Sequence, residues 1–491
     1  MSLPAAQAEA GALLARLAGV AAVETHISAV YVGPEDAWKL KKAVALGFLD
    51  FSRLTDRERL LRRELALNAP FAPGLYREVV PVTRGADGAL KLGGEGEPVE
   101  WVLRMAPLRP GDFLDAQEAA GFDPTRLDAL GDTVFAMHAA LPTRPAPGFR
   151  PVIEGNARAA LGAGLQEGRV AAWAGAALGW LERLDPWLAA RAGEGRVRRC
   201  HGDLHLGNLC LWQGRVTPFD ALEFDEALAT IDTGYDLAFL LMDCEHRLGR
   251  AAANRVLNRY AARSGDARLV AALPLWLSLR AMIRAHAEAK RGGDGLAYLD
   301  RAEALLHPAP PRLVAVGGLQ GTGKTRLARA LAPMLGPAPG ALVLRSDEIR
   351  KRRAGVPPEQ RLPPSAYTPE ASAAVFAELA AQAEAALRAG HAVVADAVFL
   401  RPEERAAIEA AARAAGVRFD GIWLTAPRAV LEARIAARTG DASDASDADV
   451  AVLAAAAARD AGPLAWRVLD AAGDPLPAAC EALGCNGADP C

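Results

Sequence analysis

Apolar positions recur along this chain in three successive rhythms. In the first hundred residues short alternating runs predict strands over 27–32 and 37–41, joined by the turn-forming set Gly33-Pro34-Glu35-Asp36. Further strands are expected over 77–82 and 100–108, with a charged helix over 56–68 between the two pairs. The middle of the chain reads as helix over 112–140, 169–192, 249–264 and 273–291, interrupted by a Pro-rich loop at 142–151, and 298–306 leads into the segment that follows. Past the proline-stiffened segment 307–311, apolar strands at 313–316, 341–345, 392–395, 421–425 and 466–470 alternate with helical stretches. Strands alternating with helices mean a parallel sheet covered on both faces, an α/β domain.

The length of 491 residues allows about two to four domains. A net charge of −3 gives no sign of a global nucleic-acid or membrane field. Residues 1–23 read as an amphipathic helix, because Glu9 and Arg16 interrupt the order of a signal peptide. No apolar run is long enough to span a membrane. Six cysteines, Cys200, Cys210, Cys244, Cys480, Cys485 and Cys491, show no paired C-x-x-C spacing, so free thiols in a reducing cytoplasm are the simpler expectation. The last three cluster, but no nearby histidine completes a metal-ligand set for them.

The sharpest chemical signal is Gly318-Leu319-Gln320-Gly321-Thr322-Gly323-Lys324-Thr325, placed between a strand and a helix. Its glycines, Gly318, Gly321 and Gly323, let backbone N–H groups around Thr322 turn inward on phosphate oxygens, and the helix adds its positive end. Lys324 is expected to reach the β- and γ-phosphates of ATP and Thr325 to offer its hydroxyl to Mg²⁺.

A second centre is His201-Gly202-Asp203-Leu204-His205-Leu206-Gly207-Asn208, followed by Asp220. It compares with a kinase catalytic loop: Asp203 would accept the acceptor hydroxyl's proton, while Asn208 and Asp220 would hold Mg²⁺. A metal set of His201, Asp203 and His205 is the rival reading, which leaves Asn208 and Asp220 unexplained. The stretch resembles the H-G-D-x-x-x-x-N signature of aminoglycoside phosphotransferases and choline/homoserine-kinase-like proteins, over roughly residues 24–306. That resemblance implies an α+β, two-lobed, protein-kinase-like domain with Asp203 as base. It also implies a phosphate-contacting lysine, Lys41 or Lys39 with Lys41 preferred, paired with Glu64 on a helix. The hairpin departs from the pattern in lacking G-x-G-x-x-G. Eight acids between Arg215 and His246, without a lysine or arginine among them, read as part metal site, part helix start and part solvated surface, or else would suit a cationic acceptor such as an amino sugar.

In the last third, Asp396 closes a strand and is expected either to hold Mg²⁺ or to cap the strand end. Asp347 is expected as an N-cap, as the base toward the acceptor hydroxyl, or both, with Arg350 one turn on orienting the acceptor. Arg434 and Arg438 share a helix face before the acidic loop 440–447, where they would either close on the nucleotide or sit on an ordinary surface. Over 313–483 this half resembles small P-loop kinases, including gluconate/shikimate kinases, the polynucleotide 5′-kinase domain and zeta-toxin kinases. The order of the two halves resembles a bacterial family of fused proteins, a phosphotransferase joined to an ATP-binding protein.

The expectation is therefore a kinase-like domain over 1–306, with lobes at about 24–108 and 109–306, then a linker at 307–311. An α/β P-loop NTPase domain with a parallel sheet follows over 312–491. Each is expected to use ATP and Mg²⁺ to phosphorylate a hydroxyl of a small molecule. One rival keeps only the P-loop half active, with the first half a ligand-sensing pseudokinase. A second rival is a toxin-like or nucleic-acid-end kinase, which the near-neutral charge does not favour.

Overall fold

The computed structural model describes residues 2–46, 49–145, 148–438 and 445–485. It divides into two compact units. One comprises Met1–Gly121, Ala136–Pro147 and Arg191–Leu237, and the other comprises Phe122–Phe135, Gly148–Ala190 and Ala238–Cys491.

The first unit is built on an antiparallel sheet of six strands, β1 (Val23–Glu24), β2 (Ser28–Val32), β3 (Ala37–Lys41), β4 (Tyr76–Arg84), β5 (Leu90–Leu92) and β6 (Glu97–Met105). Their order is β1-β2-β3-β6-β4-β5. The period of two decides what each face does. On β3, Trp38 and Leu40 join a buried cluster with helix α1 (Ala8–Ala18), while Lys39 and Lys41 point to the other face and helix α2 (Leu54–Asn68). Leu61, Leu75 and Leu103 pack there with Cys210 of a hairpin made by Leu209–Trp212 and Arg215–Pro218, and with Phe219 just after it.

The second unit contains helices α3 (Arg250–Ser264), α4 (Leu273–Arg291) and α5 (Gly295–Leu305), followed by a parallel sheet. Its strands are β7 (Arg312–Gly318), β8 (Leu342–Arg345), β9 (Val393–Asp396), β10 (Arg418–Thr425) and β11 (Arg467–Asp470). The order is β8-β9-β7-β10-β11, every pair parallel. All seven residues of the central strand β7 are buried, as a continuous apolar run demands of a sheet covered on both faces. Register places Val316, Asp396 and Arg345 level across three strands, so three carboxyl ends open at one rim. The edge strand β8 is protected: Val343 N donates to Asn258 Oδ1 at 2.7 Å and Asn254 donates to Ala341 O at 3.0 Å, both from α3.

Four expectations change. Residues 112–121 form short 3₁₀ turns instead of helix, and the long helix starts only at Pro124 and runs to Ala140. The Pro-rich stretch gives way at Arg150 to a helix reaching Gly162, with Pro151 in its first turn, where the missing N–H costs nothing. Asp347 is not an N-cap: the helix runs Ser346–Arg353 and its N-cap residue is Arg345, which puts Asp347 inside the first turn. Cys200, Cys210, Cys244 and Cys480 are free thiols, but Cys485 is disulfide-bonded. No helix of the described residues is long and apolar enough to cross a membrane.

Candidate functional site

The first unit gathers the kinase-loop residues by two backbone devices. Asp236 accepts from His201 N at 3.0 Å and Gly202 N at 2.9 Å, and the buried His201 ring lies 2.9 Å from Phe219 O. These bonds fix the loop from below. Gly202 has φ +86°, and a Cβ there would lie 3.1 Å from Leu222 Cβ, so the turn needs glycine. Asp203 emerges partly exposed, held at Oδ2 by Asn208 Nδ2 at 3.0 Å, and Asn208 also donates to Asp203 O at 2.8 Å. Burial keeps the His201 imidazole below its ordinary pKa. His201 is thus spent on backbone. Among the described residues His201, Asp203 and His205 do not assemble as a metal set, and the one group of that kind is the buried trio His138, Cys200 and Asp236.

Asp220 sits at φ +60°, a left-handed conformation an aspartate tolerates better than most residues. Its N–H donates to Tyr76 Oη at 2.8 Å, and the next N–H, of Ala221, donates to Asn68 Oδ1 at 2.9 Å. These contacts aim its carboxylate at β3. Lys39 Nζ reaches Glu64 Oε1 at 2.7 Å and Asp220 Oδ1 at 2.5 Å. Lys41 Nζ reaches Glu64 Oε2 at 2.9 Å and Glu223 Oε1 at 2.5 Å. One carboxylate on α2 therefore takes both lysines. Burial pushes the Glu64 carboxyl up, but the two ammonium groups outweigh it and hold it down at about 2. Burial lowers both lysines, but their carboxylate partners more than reverse it, so both stay charged. The side chain of Lys41 is 1 % exposed and that of Lys39 is 12 %. The preference for Lys41 as the phosphate lysine is thus at odds with the geometry, since the more open lysine, the one beside Asp220, is Lys39. Glu223, which sequence reasoning placed only within an acidic run, is the partner it missed.

That run is not a free acidic surface. Asp220, Glu223 and Glu226 meet Lys39, Lys41 and Arg63, and Asp225 caps a short helix at Ala227 N. Asp232 meets Arg191, Asp236 the Gly202 N–H, Asp243 Arg247, and Glu245 Arg301. Each acid of the run thus already has a partner within the protein.

In the second unit the glycine loop joins β7 to helix α6 (Lys324–Leu331), whose N-cap is Gly323 at φ +85°. Gly318 lies at φ +135°, and a Cβ on it would sit 2.5 Å from Leu424 O, so no other residue fits. Thr322 Oγ1 donates to Leu319 O at 2.7 Å, and Lys324 Nζ donates to the same carbonyl at 2.9 Å. Thr325 Oγ1 donates to Asp396 Oδ2 at 2.6 Å, which brings together the two residues expected at Mg²⁺. Arg345 Nε holds the same Asp396 oxygen at 3.2 Å, and its Nη1 reaches Glu348 at 3.0 Å. Hydroxyl plus carboxylate at a helix N-terminus is a hard oxygen donor pair suited to Mg²⁺.

Asp347 and Arg350 share the helix Ser346–Arg353. Arg350 is 9 % exposed, donates to Ala366 O at 2.8 Å, and lies over the Tyr367 ring at 4.7 Å. Tyr367 donates to Asp447, which also takes Lys351 Nζ at 2.7 Å and Leu362 N at 3.0 Å. Burial, then the Asp447 carboxylate, pushes the Tyr367 hydroxyl up, with Asp347 adding to the effect. Asp447, Tyr367 and Arg345 make contacts around these candidates that sequence reasoning did not assign. Arg434 is bonded to Ala471 O at 2.8 Å, Ala472 O at 2.9 Å and Gly321 O at 3.5 Å, so it ties its helix, Arg428–Arg438, to the glycine loop. The side chain of Arg438 and residues 440–444 of the acidic loop lie outside the described residues.

Comparison with known proteins finds two matched stretches. Residues 48–273 match the model of the phosphotransferase enzyme family, and residues 313–463 match the model of an AAA domain. An uncharacterized protein of Mycobacterium tuberculosis, and one of Mycobacterium bovis, is 29 % identical over 440 residues, covering 85 % of this chain and 86 % of the relative. Among solved structures, a choline kinase of Cryptosporidium parvum aligns with 58 % of this chain and 87 % of its own at 12 % identity and a TM-score of 0.38. A gluconokinase of Sinorhizobium meliloti aligns with 36 % and 93 % at 20 % identity and a TM-score of 0.26. The chain joins two domains of kinase families, a phosphotransferase-family domain and, after it, a P-loop kinase-like AAA domain.

Proposed function

We propose that this protein is an ATP- and Mg²⁺-dependent phosphotransferase with two nucleotide sites, one in residues 1–306 and one in 312–491, each acting on a hydroxyl of a small molecule. The observation that carries the reading is that each half has its own set of groups for phosphate, metal and proton. In the first they are Lys39, Asn208 with Asp220, and Asp203; in the second they are Lys324, Thr325 with Asp396, and Asp347.

In the first half Lys39, oriented by Glu64, contacts the α- and β-phosphates, while Lys41 is a buried structural partner of the same carboxylate. Asn208 uses its Nδ2 on Asp203, leaving its Oδ1 as a ligand atom. That bond also turns Asp203 so that its carboxylate can take the acceptor's proton. In the second half the loop amides and Lys324 cradle phosphates, Asp347 takes the acceptor proton, and Arg350 orients the acceptor. Arg434 acts as a positioning residue for the loop. Mg²⁺, when bound with ATP, neutralises phosphate charge and leaves positioning as the protein's main task.

Equilibrium titration with a non-hydrolysable ATP analogue and Mg²⁺ tests the count of sites. Two sites per chain, falling to one in Lys324→Ala and one in Lys39→Ala, is the expected result. A single site abolished by Lys324→Ala contradicts it and leaves the first half as a pseudokinase.

A further inference from the structure

Beside the P-loop machinery, within the second unit, lies a cavity of about 280 Å³, close to the small end of the range for ligand pockets. Helix α3, the start of the helix Pro124–Ala140, and the outer side of β8 and α6 form its walls. Phe122, Leu127 and Val343 make one side apolar, whereas four arginines, Arg255, Arg259, Arg329 and Arg345, make the other side basic.

Three of the four are already neutralised. Asp128 holds Arg255 in a two-point pair at 2.8 and 2.6 Å. Asp132 and Glu359 hold Arg259 at 2.6 Å each. Asp396 and Glu348 hold Arg345 at 3.2 and 3.0 Å. Arg329 differs: its nearest carboxylate is Glu348 at 3.9 Å, already engaged by Arg345, and it makes no hydrogen bond among the described residues. Its side chain is 41 % exposed, so its N–H groups are open to an incoming solute.

We propose that this cavity binds a phosphate-bearing small anion, a phosphate monoester or free phosphate, with Arg329 as its anchor and the apolar wall against the ester's carbon body. A guanidinium with free N–H groups is suited to two-point recognition of such an oxyanion. The site is separate from the glycine loop but wired to it. Arg345, in the cavity wall, shares Asp396 with Thr325, so an anion drawing on Arg345 or Glu348 alters the groups proposed to hold Mg²⁺.

Calorimetric titration of the full chain, with both nucleotide sites filled by a non-hydrolysable ATP analogue and Mg²⁺, tests this directly. The probes are glucose 6-phosphate, inorganic phosphate and, as a control, glucose. One further site for either phosphate probe and none for glucose is expected, and whichever phosphate probe binds more tightly decides between ester and free anion. Arg329→Glu is expected to weaken that binding by about tenfold or more, and Arg329→Lys to retain most of it. Ala251→Trp, at an exposed position on the rim, fills the space without changing charge and is expected to abolish binding. No binding of either phosphate probe, or binding unchanged in Arg329→Glu and Ala251→Trp, overturns the proposal. The readout is binding alone, so it stands or falls apart from the two-kinase reading.

Discussion

Lys39 spans 2.5 Å to Asp220, while Lys41, two residues along the same strand, is turned to Glu223 at the same distance. Both also hold Glu64, yet only Lys39 borders a residue proposed to bind metal. The two lysines should therefore fail differently. Lys39→Ala is expected to remove nucleotide binding by the first half and to change the melting temperature little. Lys41→Ala strands the buried Glu223 carboxylate, leaves Glu64 to Lys39 alone, and should cost about 3–5 kcal/mol of stability. Analogue titration and thermal melting of the two variants side by side check this, and equal loss of binding at equal stability would reverse the assignment.

Acid should weaken the first unit through Glu64. Its folded pKa of about 2 lies below the ordinary value of about 4.3, so its contribution is complete above that value and disappears as pH falls toward 2. Glu64→Gln leaves two buried ammonium groups short of a partner and is expected to cost about 3–5 kcal/mol at neutral pH. It should also flatten the fall in stability between about pH 4.5 and 2. Denaturant melts at several pH values measure both effects.

The Thr325–Asp396 bond predicts a metal phenotype for the P-loop half. Thr325→Ala is expected to weaken Mg²⁺-dependent nucleotide affinity at that site about tenfold or more while leaving Mg²⁺-free binding nearly unchanged. Thr325→Ser should restore it. A Mg²⁺ titration at fixed analogue concentration separates the two quantities.

Asp447 fastens residues 360–367 by accepting from Lys351, Leu362 N and Tyr367. Burial raises its carboxyl, but Lys351 and Tyr367 more than offset this and lower it, so the fastening persists at neutral pH and loosens only as pH drops below the usual aspartate range. Asp447→Ala is expected to speed limited proteolysis within 354–368 severalfold and leave the rest of the fragment pattern unchanged.

How far the sequence carried follows from the range of each interaction. The glycine loop, the loop at His201–Asn208 and the five parallel strands are written in short-range patterns, and β3 and helix α4 fall at the residues expected from pattern alone. The helix Arg150–Gly162 was hidden because prolines on both sides of it read as loop, although a proline in a first turn starts a helix as readily as it ends one. The choice between Lys39 and Lys41 was undecidable by periodicity, since both lie on one face of β3; the partners that separate them, Asp220 and Glu223, are some 180 residues away. Arg345 and Asp447 were passed over for a similar reason, each acting through residues distant in the chain, Asp396 and Lys351. Arg345 did leave one trace, a charged residue ending an otherwise apolar buried strand.

The central claim is that two independent phosphotransfer sites share this chain. ATP consumption by the Asp203→Ala and Lys324→Ala variants and by the double variant tests it most directly. The assay is run against a pool of sugars, amino sugars, aminoglycosides, nucleosides and short oligonucleotides. Each single variant is expected to lose a different acceptor, and the double variant to lose both. If Asp203→Ala leaves every activity intact while Lys324→Ala abolishes them all, the first half is a binding domain and the two-site account is wrong.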